Sequence, residues 1–233
     1  MNRLIKIVSV LAVLSGFSMT SLKADSSDFA GVYFGLTSSG VGVELDGKHQ
    51  SGGDEGGSTS TGEVTTGVIG RVAAIAGAEA GYAIPVSDTM LIDVGVAYYA
   101  GAAKITSSNT DTSATADVSF ELKDLMTAYI APTFAISDTA SIYLKVGIME
   151  ADTTTTGDVT QPSDLSGTLI GVGSRSLLGN GLFMRTEAGW VDFDNISVKG
   201  KGAGGTGKEI ATTSTVSADP LVAYGSISIG YKF

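Results

Sequence analysis

The clearest alternation of hydrophobic and polar positions closes the chain. Between Leu221 and Phe233, Leu221, Ala223, Gly225, Ile227, Ile229, Tyr231 and Phe233 alternate with Val222, Tyr224, Ser226, Ser228, Gly230 and Lys232. Side chains of a strand point to opposite faces in turn, so one face here is apolar and the other mostly small or polar. The same period recurs upstream. Ile142, Leu144, Val146 and Ile148 alternate with Tyr143, Lys145 and Gly147. Ala74, Ala76, Ala78, Ala80, Tyr82 and Ile84 lie opposite Glu79 and Gly81, and Ile92, Val94, Val96 and Tyr98 lie opposite Asp93. Met126, Ala128, Ile130, Pro132 and Phe134 share a face; Met184, Ala188 and Trp190 oppose Arg185 and Glu187. Two segments are less regular. Gly31 to Val43 slips in parity near Ser39 and Gly40, as a β-bulge would cause. Leu169 to Leu177 has a weak pattern because Gly171 and Gly173 interrupt it.

The connections fall into two classes. Pro85 to Thr89, Ser137 to Thr139 and Gly179 to Gly181 are short, and Asn180-Gly181 suits the positive φ angles of a hairpin turn. Asp46 to Thr66, Thr106 to Ser119, Asp152 to Leu165 and Asp194 to Val216 are long, rich in Gly, Ser, Thr and Asp, and without apolar periodicity. Three short and four long connections in alternation join eight strands. The expected fold is all-β: an eight-stranded antiparallel up-and-down transmembrane β-barrel, with both termini and the short turns at one end. A weak hairpin repeat agrees: Tyr82-Ala83-Ile84 and Phe134-Ala135-Ile136 each precede a Ser-Asp turn and an outgoing strand.

The other end of the chain sets the compartment. Met1 to Ala24 carries Arg3 and Lys6, then an apolar run from Ile7 to Leu14, then small residues. This is the layout of a secretory signal peptide and is too short for a spanning helix. The expected organisation is a signal peptide over residues 1–24 and a barrel domain over 25–233. Removing the leader takes away Arg3, Lys6 and Lys23 and no acid, so the formal charge of −10 falls to −13. Such a surface disfavours nucleic acid as a partner. There is no cysteine, hence no disulfide, thiolate metal site or cysteine nucleophile.

Parity places Glu79, Asp93 and Glu187 on the inward faces with Lys145, Arg175 and Arg185. Three acids against three bases balance, and buried charges persist when paired. An eight-stranded barrel is just wide enough for side chains to fill it, so the expectation is a closed polar interior; a small porin is the alternative. The outward faces are apolar, the reverse of a secreted β-sandwich adhesin, which is a further alternative. No catalytic, cofactor or metal site is expected. The single histidine, His49, sits among Gly and Ser in the first long connection, without the fixed geometry that general-base work needs. The acids Asp46, Asp54, Glu55, Asp111, Asp152 and Asp158 lack calcium-motif spacing.

The segments Phe29-Ala30-Gly31-Val32-Tyr33-Phe34-Gly35-Leu36, Gly77-Ala78-Glu79-Ala80-Gly81-Tyr82, Arg185-Thr186-Glu187 and Tyr231-Lys232-Phe233 resemble the small outer-membrane barrels of Gram-negative bacteria, in particular the opacity-protein and OmpA-like β-barrel family. The resemblance covers the mature chain through short motifs. It implies a monomer in the cell outer membrane, in contact with outer-membrane lipid. It also implies insertion by the barrel-assembly machinery, with Tyr231 and Phe233 as the assembly signal; the peptidoglycan-binding domain of the larger relatives is not expected here.

Overall fold

A computed structural model describes residues 24–50, 64–107, 118–157, 159–162, 164–201 and 215–233. Most of the expected signal peptide and the tips of three long connections, with Gly53, Asn109 and Gly204, lie outside the described residues. The strands are β1 (Gly31–Gln50), β2 (Val64–Pro85), β3 (Met90–Ser107), β4 (Val118–Ser137), β5 (Ala140–Thr156), β6 (Leu165–Gly179), β7 (Leu182–Phe193), β8 (Ile196–Lys199) and β9 (Thr215–Lys232). All pairings are antiparallel, in the order β1 to β7 and then β9, and β9 returns to β1 to close the ring. This is an eight-stranded up-and-down barrel. Closure leaves the terminal strand paired on both sides, which removes the sheet edges.

β8 was not expected, because Asp194 to Val216 reads as a loop in which the short pair Ile196 and Val198 does not stand out as a strand. It is not a further wall strand. β7 pairs with β9 as far as Asp192 opposite Leu221, and β8 resumes on the same side at Ile196 opposite Ala218. The interruption lies across from Pro220, which has no N–H to give to a ladder. β8 therefore continues β7 beyond a bulge. The other long connections are also shorter than the sequence suggests: β1 continues to Gln50, and β5 carries Thr155 within a strand.

The expected slip near Ser39 does not occur. β1 holds one register against β2 from Gly31 opposite Ala83 to Gln50 opposite Val64. Tyr33, Gly35, Thr37, Ser39, Val41 and Val43 all lie on the buried face. What changes is the polarity of the interior. Toward the loop end the inside is an apolar core that includes Val41, Val43, Ile75, Leu122, Leu125, Met149, Leu169, Val191 and Val222. There the outward positions carry charge, with Glu44, Asp46, Glu150 and Asp152 exposed. Toward the turn end the arrangement is inverted. Val32, Phe34, Leu36, Val94, Val96, Ile130, Ile148, Ile227 and Ile229 are exposed, and the buried face carries the charges. A true register slip does occur in β3 and β4, beside Gly101 at φ +131 and Asp124 at φ 52.

The short turns form as the sequence predicts, with Asn180 at φ 52 and Gly181 at φ 80. At this end the chain enters through a 3-10 turn, Ser26–Phe29, capped by the Asp25 carboxylate, which accepts from the Ser27 N–H at 2.8 Å. The Ser26 N–H and hydroxyl bond the carbonyls of Asp88 and Ser87 at 2.7 and 2.6 Å. Phe29 is fully buried and clusters with Tyr33, Leu91 and Phe183 inside the mouth of the barrel.

Candidate functional site

The site is a charged layer between the Phe29 plug and the apolar core. Glu79 on β2, Asp93 on β3, Lys145 on β5, Arg175 on β6, and Arg185 and Glu187 on β7 are all buried. Each strand supplies an inward residue at this height because alternation keeps its neighbours on the outer surface.

Three ion pairs organise the layer. Arg175 Nη2 lies 2.5 Å from Asp93 Oδ1, and the Thr133 hydroxyl donates to Asp93 Oδ2. Arg185 Nη1 donates to Glu79 Oε2 at 3.2 Å. Lys145 Nζ lies 2.5 Å from Glu187 Oε2. The sequence reading places Glu79 and Glu187 with Lys145, Arg175 or Arg185 and leaves the partners open. Arg175 takes Asp93, and the other two bases divide between the glutamates.

Tyrosines join the three pairs, and nothing in the alternation of the chain marks them for that role. Tyr129 donates to Glu79 Oε2 at 3.4 Å and shares a 3.0 Å hydrogen bond with Tyr33. Tyr143 and Tyr224 donate to Glu187 Oε2 and Oε1, each at 2.8 Å. The cations also sit on ring faces, which attract positive charge. Lys145 Nζ is 4.2 Å from the Tyr129 ring centre, and the Arg185 guanidinium carbon is 4.5 Å from that of Tyr143. The Arg175 guanidinium stands 4.7 Å from the Tyr33 ring centre, and its Nη1 donates to the Phe29 carbonyl at 3.4 Å, tying the plug to the layer.

The rings fit because glycines face them. A Cβ at Gly95 would stand 2.6 Å from the Tyr129 hydroxyl, and one at Gly173 would overlap the Tyr143 ring. The sequence signal for these tyrosines is thus an inward glycine on a neighbouring strand. It becomes readable once the register is known.

In the layer every carboxylate faces a cation and a hydroxyl donor, an arrangement that holds strands together. His49 pairs through its backbone with Thr65 and Val216 near the loop end, away from this layer. Asp46 and Asp152 are exposed on strands. At the other end of β9, Tyr231 and Phe233 stack edge to face with ring centres 5.0 Å apart on the outer surface. The Phe233 N–H bonds the Val32 carbonyl at 2.9 Å, and the Lys232 N–H bonds that of Gly181 at 2.8 Å.

No family model matches the sequence, and no curated protein matches it. Several solved structures are similar in shape. The outer membrane protein OprG of Pseudomonas aeruginosa is 13% identical, with a TM-score of 0.48 over 91% of this chain and 100% of that one. Neisserial surface protein A is 10% identical, with a TM-score of 0.44 over 86% and 97%. The attachment invasion locus protein Ail of Yersinia pestis is 11% identical, with a TM-score of 0.39 over 85% and 99%.

Proposed function

We propose that the chain is an integral outer-membrane β-barrel with a structural or surface-exposed role and a closed interior. The observation that carries this reading is the inverted polarity of the turn-end half: exposed Ile, Val, Leu and Phe outside, buried ion pairs inside. Water would reward the opposite arrangement, whereas lipid rewards this one. The dimensions agree. A tilted strand crosses the hydrocarbon in about 9–11 residues, the stretch of β2 from Pro85 to about Ala76. Tyr82 and Tyr231 on the outer face near the turns, with Tyr98 and Trp190 farther up, suit the two aromatic girdles of such a barrel.

Three obstructions in series support closure over the small-porin reading: the Phe29 plug, the ion-pair layer and the apolar core. The reading is of a non-catalytic barrel, supported by the placement of the one histidine, His49, at the loop end of β1, away from the buried ion-pair layer. The resemblance adds assembly by the barrel machinery through Tyr231 and Phe233; the N-terminal layout adds export through a leader cleaved after Ala24, and the reading is of a monomer. The test has two parts. Detergent-extracted protein should migrate faster unheated than boiled, and equal migration would remove the barrel reading. In planar bilayers it should give no steady conductance; regular single-channel steps would favour the porin.

A further inference from the structure

Beyond the charged layer the inward parity of the strands continues toward the loop end. Ile75, Met149 and Val191 stand four residues past Glu79, Lys145 and Glu187 on β2, β5 and β7. Four residues of strand keep a side chain on the same face and move it about 13 Å along. At this level the side chains leave a cavity, and each of the eight wall strands contributes to its lining, so it lies on the barrel axis. Tyr224 joins it to the layer below: the residue lines the cavity, and its hydroxyl donates to Glu187 Oε1 at 2.8 Å.

The lining is apolar but for Ser39 and the tyrosines Tyr99 and Tyr224. Ser39 is 3% exposed, and its hydroxyl has no hydrogen-bond partner among the described residues. A buried hydroxyl without a partner is costly, and a partner arriving in the cavity would remove that cost. The cavity gives the centre of a water-sized sphere about 20 Å³ of room, against the ~10–15 Å³ that a single water takes. A water needs roughly two to four polar partners, whereas a space walled by Val, Ile and Leu side chains stays dry and takes apolar molecules. Met149 is unbranched and can re-pack to widen the space, as methionines in cores do.

We propose that this cavity binds a small neutral molecule of about one ring, apolar except for a single hydroxyl that hydrogen-bonds Ser39. The side chains around the axis supply the apolar contact, and the free hydroxyl sets the orientation. A charged ligand is disfavoured, because no ionised side chain lines the cavity. The inference rests on the closed barrel and not on its place in a membrane.

The test uses the full mature barrel refolded in detergent, with isotope-labelled methionine methyls read by NMR. The probes are phenol and benzene. Met149 lines the cavity, while Met126 and Met184, 56% and 38% exposed on the outer surface, report probe dissolved in the detergent. Phenol should shift the Met149 signal saturably and the outer methionines only in proportion to its concentration. Benzene should bind about fivefold more weakly, the size of one hydrogen bond. Ser39→Ala should bring phenol down to the level of benzene, and Val191→Phe, which fills the cavity, should abolish the Met149 response. Three results would overturn the proposal: a Met149 signal that is unmoved or merely tracks Met126, as for a cavity holding water; benzene binding as tightly as phenol; or an unchanged response in Val191→Phe. Heat-modifiable migration is read on every sample, so loss of the barrel is distinguished from loss of the site. The comparison of phenol with benzene needs no variant and decides the matter if Val191→Phe does not fold.

Discussion

Glu79 shows how much of the charged layer hangs on one atom. Its Oε2 accepts from both Arg185 and Tyr129, while Oε1 has no hydrogen-bond partner among the described residues. Glu79→Ala would leave the Arg185 guanidinium buried without its counter-ion, a loss of about 3–5 kcal/mol. The expected result is a lower urea midpoint for the barrel, against little change for the outward-facing Ala78→Val. An unchanged midpoint for both Glu79→Ala and Glu187→Ala would remove the layer from the account of stability. Tyr129→Phe keeps the ring under Lys145 and removes the hydroxyl shared with Tyr33 and Glu79. Its cost should be near 1 kcal/mol, the net value of a typical hydrogen bond; a cost as large as that of Glu79→Ala would mean the hydroxyls, not the ion pair, hold the layer.

At the scale of the element, the entering turn and the last strand make separate predictions. The turn Ser26–Phe29 fills the mouth with a fully buried ring and meets Arg175 through a carbonyl. Phe29→Ala leaves a cavity and should cost about 3–5 kcal/mol. It removes one of three obstructions, so the conductance should stay closed. Open steps in this single variant would make the plug the only gate. β9 carries its closing partners to the end, through the Phe233 and Lys232 N–H groups. Deleting Phe233 removes a backbone bond to Val32 and a large exposed ring. Assembled, heat-modifiable barrel in the outer membrane should fall while export continues. Normal amounts would separate Phe233 from assembly.

The molecule has two halves of opposite polarity, which sets the half that lies in the proposed membrane, and the short turns set the side it faces. The turn-end half suits lipid; the loop-end half, with acids outside and Val, Leu and Phe within, suits water. The short turns should therefore face the periplasm and the long extensions the outside. On whole cells an impermeant thiol reagent should label Thr156→Cys and spare Asp138→Cys. The opposite pattern would invert the molecule.

The strand count at the wall, the turn positions, the inward set of charges and the apolar outer face all follow from alternation, because side-chain direction is a local property of a strand. The charges declare themselves since nothing else places an ionised residue among apolar neighbours at period two. The slip expected near Ser39 shows where that logic ends. Val41 and Val43 break the polar-inside rule, and along one strand a change of surroundings looks the same as a change of register. Only the ring of neighbouring strands separates the two, by holding one register with β2 and β9 while the interior turns apolar. The pairing of Arg175 with Asp93, the tyrosines seated on glycines and the bulge opposite Pro220 were likewise decided by tertiary structure. Each depends on the relative register of strands distant in the chain, which no single segment carries.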